Sequence, residues 1–350
     1  MKSIKKVLAI TLVMVMMLSV FTACSSNDSD GNGGDAGGDG EKKKIALLCD
    51  EAGTQVFVLR LIEGIEDAAE KHGFEAVIAE SADAAAYEDN ARALIEEGVD
   101  LIIGGGWQSG EALTNVAEEF PDAADYALID DELDVENIKS ISYREQESAY
   151  LVGLMGALLA EEDENVFGAV HVNQGAGSWK WRYGYMEGVK QVKPDAKFIF
   201  NYTGDYNEPA KAKEFAVQQY EQGARFINAA AAGGDKGVFE AAAEKHFFTS
   251  GQDVDLTTPD NPYIVSSQIK DTYTSIQYLI DQYFSDDWTT DDEVWGVEQG
   301  TIGAVHVTHE SENPISEELS EEDLEVLKQA AEDIRTGELD LSNIPNEEEY

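Results

Sequence analysis

Short apolar runs alternate with segments of helical periodicity along the first part of the chain. Residues 45–49 and 101–103 are apolar throughout, and apolar residues recur at helical spacing in 58–69 and in 84–97. Strands that are apolar throughout, rather than at alternate positions, are typical of a parallel sheet covered by helices on both faces. The pattern therefore predicts an α/β fold built from βαβ units.

The same alternation begins again after residue 160. Apolar runs at 166–170 and 198–200 predict strands, and Pro209 is placed where a helix can begin without losing a hydrogen bond. An apolar stripe within 320–334 predicts a helix docked on this second unit, and we expect the acidic end that follows it to fray. Two α/β units of similar size are predicted.

The first 23 residues have the order of a secretory signal. Lysines precede an apolar run over residues 7–20, which is shorter than the roughly 20 residues of a membrane span. Small residues then lead into Cys24, and this ending resembles a lipobox. We expect cleavage before Cys24 and lipidation of its thiol, with an ordinary signal peptide as the alternative. Residues 24–42 are predicted to be the lipidated cysteine and a disordered tether, because they hold almost no apolar side chains.

The charge of the chain is strongly acidic. It contains 70 Asp and Glu against 24 Lys and Arg, for a net charge of −46. A nucleic-acid-binding function is excluded, because no excess of cations is present to replace the counterions of phosphates. Electrostatic docking to anionic lipid is excluded for the same reason. The 43% of apolar residues is enough for a sizeable core.

Polar and aromatic residues follow several of the predicted strands. Asp50 follows the first strand, Trp107 follows the third, and Tyr206 and Asp253 follow strands of the second unit. The carboxyl ends of parallel strands form ligand sites. Aromatic rings beside carboxylates suit a flat, polyhydroxylated molecule. In the alternative interpretation the aromatics only fill the gap between the units and the acids cap helices.

Signatures of catalysis and of metal binding are missing. No dinucleotide-binding glycine motif follows a strand, and no phosphate-binding loop, nucleophile elbow or zinc-protease motif is present. His306 and His309 are three residues apart, but the apolar run over 302–307 predicts a strand, so they would not share a helical face. We expect no catalytic residues, no metal and no cofactor.

Four motifs in order carry a resemblance to a known family. They are residues 143–153, 204–214, 232–239 and 251–255, the last followed by 266–270. With these motifs behind a lipobox, the chain from about 43 to 340 resembles the basic membrane protein family. Members of that family are lipid-anchored substrate-binding proteins of ABC importers, and the chain is similar to purine-nucleoside receptors among them.

The resemblance implies a type I periplasmic-binding-protein fold. Two Rossmann-like lobes would be joined by three crossovers and would close on a ligand by hinge motion. We expect the first lobe to comprise 43–145 and about 252–275, and the second to comprise 146–251 and about 276–340. Residues 341–350 would form an acidic tail.

The resemblance also implies the site. Phe57 and Tyr206 match the family's stacking positions, and Asp253 matches a carboxylate that binds ribose. Further ligand contacts are implied at Asp50, Trp107 and Lys270.

Departures from the family pattern bear on specificity. Phe57 is followed by Val58, Glu208 replaces an aspartate of the family, and the glycine loop at Gly233 is shortened. We therefore expect a receptor for a nucleoside-like molecule with altered specificity. It would be held outside the cytoplasm by its lipid anchor and would serve the subunits of an ABC permease.

Two alternatives share this anchoring. One is a surface adhesin or matrix-binding lipoprotein, and the other is a ligand sensor for a membrane signalling partner. An extracellular enzyme, such as a nucleoside hydrolase, is disfavoured because the metal or nucleophile pattern is missing.

Overall fold

The computed structural model describes residues 42–285 and 287–350. The predicted signal peptide, Cys24 and nearly all of the predicted tether lie outside the described residues. No helix in the described ranges is both long enough and apolar enough to cross a membrane.

Twelve strands of the described chain form two sheets of six. The first sheet contains β1 (Lys44–Asp50), β2 (Glu75–Ser81), β3 (Leu101–Gly105), β4 (Asp125–Ile129), β5 (Ile138–Tyr143) and β11 (Glu293–Trp295). The second contains β6 (Val166–His171), β7 (Lys197–Tyr202), β8 (Phe226–Ala230), β9 (Phe248–Asp253), β10 (Ile264–Lys270) and β12 (Ile302–Ala304). Their orders are β11-β5-β4-β3-β1-β2 and β12-β10-β9-β8-β6-β7. Neighbouring strands run parallel except for β10 and β12.

Helices connect and cover the strands. They are α1 (Val56–His72), α2 (Ala84–Glu96), α3 (Gly110–Glu119), α4 (Glu145–Leu159), α5 (Ala176–Lys190), α6 (Pro209–Glu221), α7 (Asp235–Lys245), α8 (Thr272–Tyr283) and α9 (Glu321–Thr336). Gly73 ends α1 in the left-handed conformation, with φ of 78°. Ser320 and Asp323 form a capping box that begins α9. The predicted α/β fold with two units is confirmed.

The chain crosses between the sheets three times in the described ranges. It crosses between β5 and α4, between β10 and α8, and between β11 and β12. The three crossovers implied by the family resemblance are therefore present, and they leave a cleft between two lobes, each built on one sheet.

The expected division of the later segments between the lobes is wrong. β10, predicted within the first lobe as part of 252–275, lies in the second sheet beside β9. That pairing satisfies a strand edge of β9 that would otherwise be open. Conversely α8 packs on α1, where the side chain of Ile276 fills the space above Gly64. β11 pairs with β5. α8 and β11 therefore belong to the first lobe, although most of α8 and all of β11 were predicted in the second lobe, within 276–340.

The acidic end of the chain is not frayed as expected. Within residues 341–350, Leu341 is buried, and the carbonyl oxygen of Pro345 accepts a hydrogen bond from Trp179 Nε1 at 2.7 Å. The ring of Tyr350 meets the rings of Trp179 and Tyr183 edge-on. Apolar and aromatic side chains among the acids hold this segment on α5.

Candidate functional site

A cavity of about 610 Å³ lies between the lobes, where the carboxyl ends of the strands of both sheets face each other. All six residues predicted to contact ligand line it: Asp50, Phe57, Trp107, Tyr206, Asp253 and Lys270. The structure thus brings the six predicted positions together from both lobes. Their roles in binding remain predictions.

Aromatic side chains from both lobes surround the cavity. Phe57 lies in the first turn of α1, Trp107 follows β3, Tyr206 follows β7, and Trp181 lies on α5. Trp107 is 54% exposed, and its Nε1 donates a hydrogen bond to the Tyr206 hydroxyl at 3.2 Å. These rings offer apolar faces on which a flat ligand can stack.

A buried lysine connects the two lobes at the cavity. Lys270 Nζ is 2.5 Å from Asp130 Oδ1 and 3.5 Å from Glu145 Oε1. Lys180 Nζ lies 3.2 Å from the other oxygen of Glu145. Burial alone would lower the pKa of Lys270, but the attraction of Asp130, Glu145 and Asp253 outweighs it and raises the pKa. Lys270 is therefore charged, and both lysines are already paired with acids.

Asp253 ends β9 with a buried carboxyl that faces the cavity. Its backbone is left-handed, with φ of 70°, and Asp130 after β4 has the same conformation, with φ of 82°. Oδ1 of Asp253 has no hydrogen-bond partner among the described residues. Burial raises the pKa of Asp253 to about 7, against the opposing attraction of Lys270 and with a further increase from Asp130. A left-handed non-glycine residue is strained, and strain of this kind concentrates at functional sites.

Two more buried acceptors line the cavity. Gln252 Oε1 and Glu145 Oε2 have no hydrogen-bond partner in the described ranges, although Glu145 Oε2 forms the ion pair with Lys180. Together with Asp253 Oδ1 they can accept hydrogen bonds from hydroxyl or N–H groups. The cavity is thus equipped for a ligand with several donors.

His171, at the end of β6, is a cavity residue that the sequence analysis missed. It is buried, and its Nε2 has no partner among the described residues. Burial, together with the charge of Arg182, lowers its pKa to about 3, so the ring is neutral at physiological pH. A neutral imidazole can donate or accept one hydrogen bond in the cavity.

Asp130, Glu145 and Lys180 were missed as well. Asp130 directly follows an apolar strand, which was an available signal, and Glu145 belongs to the 143–153 motif. Lys180 and His171 lie in a stretch for which the sequence offered no motif. Asp50, which was predicted, accepts a hydrogen bond from Gln55 Nε2 at 3.2 Å.

The lining is acidic overall. Five carboxylates line the cavity, against two lysines: Asp50, Asp130, Asp131, Glu145 and Asp253, and Lys180 and Lys270. Because both lysines are paired with acids, no lining lysine is free to neutralise an anionic group on a ligand. In the described part of the chain no cluster of three metal-ligating side chains is present.

Contacts across the mouth of the cleft join the lobes. Thr54 Oγ1, in the first lobe, donates to Asn207 Oδ1, in the second, at 3.0 Å. The Trp107–Tyr206 hydrogen bond crosses the same gap. The structure is therefore in a closed arrangement.

Known proteins with similar sequences include an ABC transporter protein and a T-cell-stimulating antigen of bacteria. The chain is 26% identical over 249 residues, 68% of each protein, to the ABC transporter nucleoside-binding protein BmpA of Lactococcus lactis. It is 31% identical over 164 residues to a CD4+ T-cell-stimulating antigen of Listeria innocua, which is 47% of this chain. The matched part spans about 45% of that antigen's length.

The fold is shared with solved structures. A solute-binding protein of an ABC transporter system from Aeropyrum pernix superposes with a TM-score of 0.76 at 24% identity, over 88% of this chain and 95% of that chain. At this identity the likeness shows the fold alone, and it agrees with the predicted two-lobed architecture.

A family model extends over nearly all of the described chain. Residues 42–338 match the Bmp family, described as ABC transporter substrate-binding protein, PnrA-like. The match covers the four motifs, both lobes and every predicted contact residue of the cavity. The protein belongs to the Bmp family of ABC transporter substrate-binding proteins, as its motifs indicated.

Proposed function

We propose that this protein is a membrane-anchored receptor that binds a nucleoside-like molecule between its lobes and delivers it to an ABC permease outside the cytoplasm. The observation that carries the proposal is the pairing, in one cavity, of aromatic faces with buried acceptors that lack partners. The base would stack on Phe57 and Tyr206, and the ribose hydroxyls would donate to Asp253. The nucleoside-binding relative from Lactococcus lactis supports the same ligand class.

The charge of the lining favours nucleosides over nucleotides. A phosphate would enter a cavity in which acids outnumber lysines and both lysines are paired. Displacing those pairs or burying an unpaired anion costs several kcal/mol, on the order of the whole affinity of a weak ligand. We therefore expect a nucleoside without phosphate.

Anchoring would be through Cys24, with the polar residues that follow it as the tether. Two acyl chains on one cysteine would hold the protein stably at the membrane, whereas one chain binds only marginally. Metabolic labelling with a clickable fatty acid should mark the wild type and leave Cys24→Ala unlabelled.

A thermal-shift screen tests the ligand class. The mature protein, stripped of co-purified ligand, would be tested with nucleosides, nucleotides, free bases, sugars and amino acids. A ligand at 100 times its Kd adds about 2.7 kcal/mol to the free energy of unfolding, which shifts the melting temperature measurably. Stabilisation by nucleosides supports the proposal, and stabilisation by sugars or amino acids alone contradicts it.

Truncation of the two stacking residues tests the placement of the base. Phe57→Ala and Tyr206→Ala should each weaken nucleoside binding by about 1–3 kcal/mol in calorimetric titration. Tyr273→Ala is a matched control, because that ring lies on α8 outside the cavity, where it contacts Arg60 and Asp67. Unchanged affinity in both cavity variants would rule out stacking on these rings.

A further inference from the structure

Residues 341–350, which we call the strap, lie beside one wall of the cavity. That wall is the connection from β6 into α5, residues 172–178, of which six line the cavity. The strap itself does not line the cavity. It contacts α5 and the outer side of the wall.

One carboxylate of the strap holds both α5 and the wall. Glu347 pairs with Arg182 on α5 through both of its oxygens, at 2.5 and 2.9 Å. Its Oε1 also accepts a hydrogen bond from Gln174 Nε2 at 3.1 Å. Gln174 is the member of the wall that does not line the cavity, so its side chain is the wall's contact with the strap. Arg182 is only 2% exposed, and a buried guanidinium with a bidentate carboxylate forms a strong pair.

Other contacts place Glu347 over this position. Trp179 Nε1 donates to Pro345 O, and Tyr350 packs edge-on against the Trp179 ring with centroids 5.5 Å apart. At the other end of the strap, Gln146 Nε2 donates to Leu341 O at 3.2 Å. The strap is thus fixed on both sides of Glu347, on α4 and on α5.

Val172, at the start of the wall, is buried, and its carbonyl oxygen accepts a hydrogen bond from Gly204 N at 2.7 Å, but the rest of the wall has few other contacts. Its centre is Gly175, Ala176 and Gly177, which bury almost no side-chain area, and a Cβ at Gly177 would meet no atom within 4 Å. Within the wall, one hydrogen bond joins Gly175 N to Asn173 Oδ1 at 2.8 Å. Gly175 O accepts the first helical hydrogen bond of α5, from Trp179 N at 3.0 Å. An exposed first turn of a helix with little side-chain packing opens at a low free-energy cost, so an outside contact has a large effect on its position.

The wall leads directly into residues that face the ligand. Lys180 and Trp181 on α5 line the cavity, and Arg182 follows them. A shift at the start of α5 would therefore move both the wall and the Lys180–Glu145 ion pair.

We propose that Glu347 is a positioning residue for ligand binding, which holds the wall at 172–178 and the start of α5 in the binding arrangement through Gln174 and Arg182. Glu347 touches no ligand in this scheme. The effect on affinity rests on the proposed function, whereas the effect on the wall does not.

Hydrogen exchange of the full mature protein tests the contact without any ligand. In Glu347→Ala, peptides covering 172–180 should exchange about 5- to 20-fold faster than in the wild type, which corresponds to the loss of a charge-assisted hydrogen-bond pair. Glu348→Ala is the matched control, because that glutamate is exposed and its side chain makes no hydrogen bond or ion pair with the described residues. Unchanged exchange in Glu347→Ala, or an equal increase in both variants, overturns the proposal.

Binding of guanosine, as the probe, provides the second measurement. Glu347→Ala should weaken it about 3- to 10-fold through faster dissociation, and Glu348→Ala should leave it unchanged. Faster exchange with unchanged guanosine affinity overturns the positioning role. If the wild type does not bind guanosine or any other nucleoside, the proposed function fails, and the exchange measurement alone decides whether the strap holds the wall.

A second variant keeps the test valid if Glu347→Ala does not fold. Gln174→Ala removes only the contact to the wall and leaves the Arg182–Glu347 pair in place. It should reproduce the faster exchange at 172–178 without a change elsewhere on α5. Exchange as slow as in the wild type would overturn the proposal.

Discussion

Asp253 and Asp130 occupy equivalent places in the two lobes. β4 is the third strand of its sheet counted from β11, and β9 is the third of its sheet counted from β12. Asp130 directly follows β4, Asp253 is the last residue of β9, and both have a left-handed backbone. Both carboxyls are directed to the cavity, where Lys270 interacts with each. The Asp253 carboxyl is buried and that of Asp130 is partly buried, and left-handed non-glycine residues of this kind concentrate at functional sites.

The raised pKa of Asp253 gives a pH-dependent stability. In the unfolded chain an aspartate titrates near pH 4, whereas in the fold burial raises this pKa to about 7. A raised carboxyl pKa contributes stability that is present below about pH 4 and is lost as the pH rises towards 7. The shift corresponds to a loss on the order of 3–5 kcal/mol between pH 4 and pH 8.

The measurement is urea unfolding of the wild type and Asp253→Asn across this range. Asn cannot ionise, so the variant should gain stability relative to the wild type as the pH rises. Asp260→Asn is the control, because Asp260 is exposed and its side chain makes no hydrogen bond among the described residues. Its free energy of unfolding should change with pH as that of the wild type does. A difference between Asp253→Asn and wild type that does not depend on pH would contradict the assignment.

The sequence allowed some site residues to be predicted and not others for a physical reason. Tyr206, Asp253 and Lys270 lie in the motifs that carry the family resemblance, so their convergence could be expected. Glu145 and Asp130 are two of 70 acids, and their importance depends on Lys270, which lies far away along the chain. Proximity of charges across a cleft is a tertiary fact that no local pattern records.

At the scale of elements, the packing of α4 on α5 determines the position of much of the site. A Cβ at Gly184 would lie 2.1 Å from Gln146 O, and one at Gly188 would lie 2.0 Å from Tyr150 O. The helices therefore touch backbone to backbone. α4 carries Glu145 and α5 carries Lys180, whose ion pair at 3.2 Å lies at the cavity end of this contact.

Substitution of Gly184 should separate the helices. Gly184→Ala introduces a methyl group against the backbone of α4, and overpacking of this kind costs about 1–3 kcal/mol of unfolding free energy. Gly177→Ala is the control, since its Cβ would lie in open space and its backbone φ is not positive. Chemical denaturation should show the loss in the first variant and little change in the second. Equal stability of the two would show that α4 and α5 separate at little cost.

Three elements could not be placed correctly from the sequence: α4, β10 and the strap. Strands and amphipathic helices could be predicted from their periodicity, but α4 is buried over nearly its whole length and has no polar face. The lobe bounds drawn from the family resemblance assigned β10 to the wrong sheet, and its own residues, which are buried throughout, gave no pattern of exposed positions to correct this. The strap was expected to fray because it ends an acidic region, whereas in the structure Glu347 pairs with a buried arginine on α5 and Tyr350 packs on Trp179.

At the scale of the whole molecule, the contacts across the cleft mouth should govern ligand release. The Thr54–Asn207 and Trp107–Tyr206 hydrogen bonds join the lobes, so they can form only when the cleft is closed. An interaction present only in the closed form shifts the equilibrium towards closure by its own free energy, about 1 kcal/mol for one hydrogen bond. It therefore slows opening, and with it release of the ligand.

Thr54→Val tests this role with almost no change of volume. Nucleoside dissociation, measured by stopped-flow fluorescence, should become about 5-fold faster, while association stays nearly constant because the ligand enters the open form. Thr114→Val is the matched control, because the Thr114 hydroxyl, on α3, makes no hydrogen bond among the described residues. In the absence of ligand, small-angle scattering should show a larger radius of gyration for Thr54→Val than for the control. Dissociation and scattering that match the wild type would mean that closure is held by the ligand and by Lys270 across the cleft, and not by the mouth.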